Sequence, residues 1–351
     1  MNIPALRLLN QQLLNPQFRT PKELVSWMGA VQAQDYTMAK WAVGMRLKKA
    51  ALQFIEKALH EGEIFRIHVM RPTWHLVAAE DVRWMLKLSA PRIRQANDSY
   101  AKGYGLEIAE SLYAKSNDLL EKILCGGRSM TKPEITEFFN EAGMPADKFH
   151  MTRFLERAET EGVVCSGHIR GRQHTYALLE ERVPYMPDLT KEESLARLAK
   201  SYFRSHAPAV LQDFIWWSGL SVTDAKDAIA LIDTELVKEQ WRERLWYVHD
   251  SCRRSGTVSG NLHLLPPYDE LLLGYKDRSD VLPKEYYRRA FTNNGLFYPV
   301  VLHEGQIIGN WNKVEKKKIL EFSYSFFQDK ISPDENLLSR AQQKYIQFIR
   351  G

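Results

Sequence analysis

Apolar positions recur along this chain with two periods, and the period changes at regular intervals. From Thr20, TPKELVSWMG places Leu24, Val25 and Met28 on one helical face, with Pro21 in the first turn where its missing N–H costs nothing. ALQFIEKALHEGEIFRIHVMRPTWHLV reads as a helix, a Glu-Gly break and a hairpin. Farther on, NDLLEKIL is a helix ending at a Gly-Gly turn, and TKPEITEFFNEAG follows with Thr131 as cap and Pro133 in its first turn. DKFHMTRFLERAETEG is a third helix, with Leu155, Ala158 and Val163 toward a core and His150, Arg153 and Arg157 outside. VVCSGHI and HTYALL then alternate as two strands joined by RGRQ. Three helices closed by a basic hairpin are the elements of a winged helix, with Arg170, Arg172 and His174 on the candidate wing.

The order appears again in EESLARLAKSYFRSH, PAVLQDFIWWSGL and TDAKDAIALI, three helices followed by strands ELVKEQW and LWYV. Self-similarity at roughly 65 to 90 residues predicts three tandem winged-helix units, at 1–90, 115–180 and 190–250. A polar linker is expected over 91–114, where PRIRQANDSYAKGYG begins, and another near 181–190, where ERVPYMPDLT carries two prolines. From residue 256, NLHLLPPYDELLLGY, GLFYPVVLHEG and QIIGNWNKV are short strands with turns, so 256–351 is expected to be a small β-rich module. KVEKKKILEF within it reads as a solvated, positively charged helix face. The fold class expected is α+β.

Composition changes this picture little. The 351 residues are 44% hydrophobic and 26% charged, ordinary for a globular protein with a substantial core. No apolar run approaches the roughly 20 residues of a membrane span, and MNIPALRLLNQQ lacks a signal-peptide core. Cys125, Cys165 and Cys252 stand far apart with no metal-type spacing, which fits a reducing cytoplasm. A net charge of +5 is compatible with nucleic acid without requiring it.

Two stretches carry candidate chemistry. GAVQAQDY follows the first amphipathic helix with two uncharged amides, Gln32 and Gln34, and then Asp35, where a solvated continuation would carry Lys or Glu. On these residues alone, both amides serve most simply as caps for free carbonyls at a helix end extending to Gln32. In HVMRPTWHLV, taken as an extended strand, Arg71, Thr73 and His75 share one side and Met70, Pro72, Trp74 and Leu76 the other. That polar stripe suits a phosphate or sugar; His75 serves equally well to satisfy a buried backbone group. Pro72 places the strand at an edge or a bend. AVLQDFIWWSGLS reads as core, with Leu211, Phe214, Ile215 and Leu220 at helical spacing and Gly219 closing the helix. In LLPPYDELLLGYKDRS, Asp269 and Glu270 read as part of a folded turn, with no third ligand at a spacing that would make a metal site.

VQAQD, HVMRPTWHLV, AVLQDFIWWSGLS and LLPPYDELLLGYKDRS, in this order across nearly the whole chain, resemble the bacterial winged-helix DNA glycosylases of the AlkZ and YcaQ family. The resemblance implies a monofunctional glycosylase acting on alkylated purines in damaged double-stranded DNA, with unhooking of interstrand crosslinks among the family's activities. It implies no cofactor, metal or obligate protein partner, and a bacterial cytoplasmic location at the nucleoid. Gln32, Ala33 and Gln34 match the Gln-x-Gln, AlkZ-like branch, which assigns catalysis to the two glutamines. The chain departs from the branch with aspartate at the second position, and Asp35 lies one residue too far on to replace it. Arg71, Thr73, His75, Arg153, Arg170 and Arg172 are the expected DNA contacts. A non-enzymatic winged-helix regulator is the competing class; no dimerisation helix or ligand domain is evident for it. An RNA- or nucleotide-directed hydrolase stays open on sequence.

Overall fold

The computed structural model describes residues 2–171, 173–317, 319–328 and 333–351. The chain is α+β and forms two compact units, Met1–Ile55 with Leu195–Gly351, and Glu56–Ser194. Residues 1–90 are therefore shared between both units.

The first unit begins with α1 (Ile3–Asn10), α2 (Pro21–Met28), a two-residue strand β1 (Val31–Gln32) and α3 (Tyr36–Gly44). α2 starts where its sequence predicts. Thr20 accepts the Glu23 N–H while Glu23 accepts the Thr20 N–H, and Leu24, Val25 and Met28 are buried. It stops at Gly29, short of the glutamines. The chain leaves through α4 (Leu52–Glu61), within which the boundary between units falls.

In the second unit β2 (Ile64–Val69) and β3 (Thr73–Ala78) pair antiparallel, with Ile67 opposite His75 and His68 opposite Trp74. HVMRPTWHLV is thus two strands and not one. Met70, at φ 59°, turns the chain, and Pro72, with no N–H for a ladder, stays in the turn. α5 (Val82–Gly103) follows, a 22-residue helix where the sequence predicted a linker from residue 91. Pro91 lies inside it, yet Ala90, Ile93 and Ala101 stay buried, so packing outweighs the backbone hydrogen bond lost to proline.

Next come α6 (Glu110–Leu124), β4 (Met130–Thr131), α7 (Lys132–Glu141), α8 (Lys148–Thr160), β5 (Val164–Ser166), β6 (Thr175–Leu178) and the single turn α9 (Leu179–Arg182). The sheet order is β4-β6-β5, and three helices with a closing hairpin are the winged-helix arrangement. Leu120, Leu124, Ile135, Phe139, Phe154 and Ala158 are fully buried between the helices and the sheet. Each large side chain there contributes about 1.5–3 kcal/mol.

Arg153 and Arg157, expected outside, are 9% and 8% exposed. Arg153 meets Glu156 at 2.5 Å and donates to Asn97 of α5, while Arg157 meets both Glu110 and Glu161 at 2.5 Å. α5 packs on α8 and covers the face that an isolated winged helix would leave to solvent.

The chain returns to the first unit through α10 (Lys191–Ser205), then α11 (Leu211–Ser218), α12 (Val222–Leu231) and the hairpin β7 (Leu236–Trp241) with β8 (Arg244–His249). Gly219 closes α11 in the left-handed conformation, as its position predicts. The remaining elements are β9 (Leu262–Leu265), α13 (Glu270–Leu273), α14 (Tyr287–Ala290), β10 (Val300–His303), β11 (Gln306–Lys316), β12 (Ile319–Phe326) and α15 (Glu335–Arg350). Strands β9 to β12 form one antiparallel sheet in the order β12-β11-β10-β9.

KVEKKKILEF is not a helix. It ends β11 and begins β12, with Val314 opposite Glu321 and Glu315 opposite Leu320. ILEFSYSF alternates polar and apolar positions, which a ladder accommodates and a helix face does not. The C-terminal region also carries α15, which the β-rich expectation lacked. Its Ala341, Tyr345 and Phe348 are buried at helical spacing, and Phe348 packs 5.2 Å from Trp41 between ring centroids. No helix among the described residues is long and apolar enough to cross a membrane.

Candidate active site

The VQAQD segment is held between two helix ends. Gly29 terminates α2 at φ 79°, and a Cβ there would lie 2.8 Å from that of Ser201, so glycine alone fits. Arg204 donates to the carbonyls of Ser26 and Trp27, supplying donors at the end of α2. Gln32 lies beyond that end, in β1. It is 5% exposed, Ala33 is fully buried, and Gln34 is exposed. Asp35 caps α3, its Oδ1 accepting the Met38 N–H at 2.9 Å. That carboxylate is engaged in starting a helix.

The partner of this segment comes from far along the chain. Glu270 Oε1 accepts the backbone N–H of Gln32 at 2.7 Å. Its Oε2 accepts from Trp217 Nε1 at 3.1 Å and lies 3.4 Å from His206 Nε2. Glu270 and His206 are 1% and 0% exposed. Burial lowers the pKa of His206 against the opposing pull of Glu270. His206 Nδ1 is 2.8 Å from Ser205 Oγ, and the Tyr202 ring stacks on the imidazole at 4.8 Å. The preceding residue, Asp269, caps α13 through the Leu271 N–H and takes a two-point contact from Arg46. Tyr268 before it adopts φ 59°, and burial, then the charge of Asp35, raises its hydroxyl pKa. Among the described residues no three His, Cys, Asp or Glu side chains gather as metal ligands would.

Comparison with known proteins identifies the family. Residues 25–348 match the family described as DNA glycosylase AlkZ-like. The chain belongs to that family. It is a DNA glycosylase, a DNA-repair hydrolase acting on N-glycosyl bonds. It is 22% identical over 345 residues to the interstrand DNA cross-link repair glycosylase of Streptomyces sahachiroi, covering 89% of this chain and 87% of that protein. The solved structure of the Streptomyces sahachiroi DNA glycosylase AlkZ superposes with a TM-score of 0.79 at 20% identity, over 99% of this chain and 95% of the other. That likeness establishes the fold.

The remaining residues expected to touch DNA lie in the second unit of the glycosylase. Arg71 is half-buried in the β2–β3 turn, and Thr73 begins β3. His75 is fully buried, its Nδ1 2.9 Å from the Thr73 carbonyl. Arg153 lies in the ion pair on α8 described above. Arg170 is exposed on the wing and pairs with Glu134 at 2.6 Å. The Thr131 N–H, then Arg170, lowers the Glu134 carboxyl to about 2. Arg172 lies outside the described residues. Gln32, Gln34 and the Asp269–Glu270 pair belong to the first unit.

Glu270, His206, Trp217 and Arg204 escaped the sequence analysis as site residues. One signal for Glu270 was available. It opens the run ELLL, all four residues of which are buried, and a carboxylate leading such a run needs a buried partner. Nothing local indicates that the partner is the backbone of Gln32.

Proposed function

We propose that this glycosylase hydrolyses the N-glycosidic bond of purines alkylated at N7 or N3 in damaged duplex DNA, leaving an abasic site, with Gln32 and Gln34 acting together. The observation that carries the assignment is the state of the two amides. Gln32 is buried with its backbone held on Glu270, and Gln34 is exposed two residues on. A purine alkylated at N7 or N3 is cationic and departs without protonation, so no general acid is needed. The sugar then develops oxocarbenium charge, which amide carbonyl oxygens attract while orienting the attacking water. Lesions with poorer, neutral leaving groups react slowly at such a site.

Arg71, Thr73, Arg170 and Arg172 are proposed to bind backbone phosphate and sugar, while His75, fully buried on the Thr73 carbonyl, takes the alternative role of satisfying a backbone group. Arg153, committed to Glu156 and Asn97, serves the second unit's packing instead. The three winged-helix units and the C-terminal module form the scaffold in this reading. The glycosylase works without cofactor or obligate protein partner, on nucleoid DNA in a bacterial cytoplasm. Because the Streptomyces relative is named for cross-link repair, the proposal extends to unhooking interstrand crosslinks.

A regulator of this build would read bases through the third helix of a winged helix. On α8 the side chains of Arg153 and Arg157 are buried in ion pairs, which counts against base reading by those two residues. The deciding experiment is incubation of the purified protein with a duplex containing N7-methylguanine. Free base in the supernatant supports the proposal. Binding without release overturns the alkylpurine assignment and leaves the glycosylase's lesion to be found.

A further inference from the structure

AVLQDFIWWSGLS and LLPPYDELLLGYKDRS both converge on one carboxylate. We propose that Glu270 is a positioning residue for Gln32, a role that rests on the glycosylase reading above. Buried backbone donors require acceptors, and Gln32 sits in a strand of only two residues. A carboxylate accepting that N–H makes a charge-assisted bond, about twice as strong as a neutral one. It fixes the backbone of Gln32 and hence the direction in which its side chain leaves.

The carboxylate is itself held. Trp217 of α11 donates to Oε2, and His206, at the end of α10, faces the same oxygen. Tyr202 packs against both of these rings, at 5.0 Å from Trp217 and 4.8 Å from His206. Gly274 allows the close approach, since a Cβ there would lie 2.6 Å from His206 Cδ2 and 2.7 Å from the Glu270 carbonyl. Replacing Glu270 by glutamine breaks this arrangement without changing its size. Whichever way the new amide turns, its NH2 faces a donor, either Gln32 N–H or Trp217 Nε1–H.

The test is Glu270→Gln alone, Gln32→Ala alone, and the two together, with single-turnover base release and binding of an uncleavable duplex measured for each. Glu270→Gln is expected to slow release by about ten- to a hundredfold, with affinity within about twofold of wild type. In the Gln32→Ala background the same change is expected to add almost nothing, because the residue it positions is gone. A purely structural role predicts instead a loss that multiplies in full with that of Gln32→Ala. Amide hydrogen exchange over residues 31–34 reads the anchor independently of activity, and it is expected to accelerate in Glu270→Gln. Should that variant not fold, Glu270→Asp keeps the charge, withdraws the carboxylate by one methylene, and carries the same measurements. A wild-type rate in a folded variant, a fully multiplicative loss, or unchanged exchange overturns the proposal. A wild-type protein that releases no alkylpurine refutes the substrate assignment, and the exchange measurement still decides whether Glu270 holds the Gln32 amide.

Discussion

Arg46 meets Asp269 edge to edge, with Nη1–Oδ2 at 2.9 Å and Nη2–Oδ1 at 2.8 Å, and neither side chain is exposed to solvent. The contact ties the end of α3, the helix that Asp35 starts, to the turn that carries Glu270. A fully buried pair is costly to break from one side, because the remaining charge is left without a counter-charge. Asp269→Ala is therefore expected to destabilise the first unit by about 3–5 kcal/mol. Urea unfolding measures it, and a change below about 1 kcal/mol would show that the pair contributes no more than a surface contact.

Gln32→Ala and Gln34→Ala are each expected to slow base excision by roughly tens- to a thousandfold, while folding and DNA affinity stay near wild type. A neutral amide contributes chiefly as charge develops in the transition state. Because both are proposed to serve one cation and one water, the double variant is expected to lose less than the sum of the singles. Wild-type excision by both single variants under single-turnover conditions rules out the assignment.

A monofunctional mechanism leaves an unbroken strand. The basic side chain nearest in sequence to the glutamines is Lys40 on α3, which is buried with its ammonium 4.6 Å from the Tyr36 ring centroid. Borohydride added during turnover is expected to trap no covalent enzyme–DNA adduct. A trapped adduct, lost in Lys40→Ala, would replace the proposed hydrolysis by an amine-mediated one.

Binding to undamaged duplex should weaken steeply with salt, as phosphate contacts by Arg and Lys release counterions. Arg170→Ala combined with Arg172→Ala is expected to reduce affinity evenly across sequences and to flatten the salt dependence by one to two units of slope. Fluorescence anisotropy from low to moderate salt provides the check. A sequence-selective loss would instead indicate base reading.

Stability should fall on mild acidification. His263, 9% exposed in β9, is lowered to about 3, first by burial and then by the charges of Lys344 and Arg46. Its unfolded pKa is near 6.5, so below that the unfolded chain binds a proton that the folded chain refuses, and stability is lost as pH falls from there toward 3. At pH 5 the contribution is about 2 kcal/mol relative to neutral pH. Denaturant titrations at pH 7.5 and 5 should show this loss, and His263→Leu should diminish it. An unaltered pH response in that variant would mean the imidazole titrates normally.

Elements whose signals lie within a turn or two of chain were legible from sequence. Thr20, Pro21 and Glu23 begin α2, and Thr131 with Glu134 begins α7, because a cap is a bond between residues three apart. The three helices and hairpin expected over 115–180 follow likewise from apolar period and turns, although the first helix begins at Glu110, inside the stretch expected to be linker. The glutamines at positions 32 and 34 stood out on their residues as uncharged amides, which alone favoured a capping role; their catalytic assignment came from resemblance.

What tertiary structure decided was every partner that local pattern leaves unspecified. The linker expected around Pro91 became α5 because its apolar residues had a surface to bury against. Arg153 and Arg157 moved from solvent to the interior because α5 covers α8. The charged stretch at 313–322 became a ribbon because a strand needs a neighbour, and β11 supplied it. Glu270 reaches the Gln32 N–H across 238 residues of sequence. Periodicity and capping act over one helical turn, whereas a buried carboxylate takes its donor from whatever backbone the packed core brings beside it.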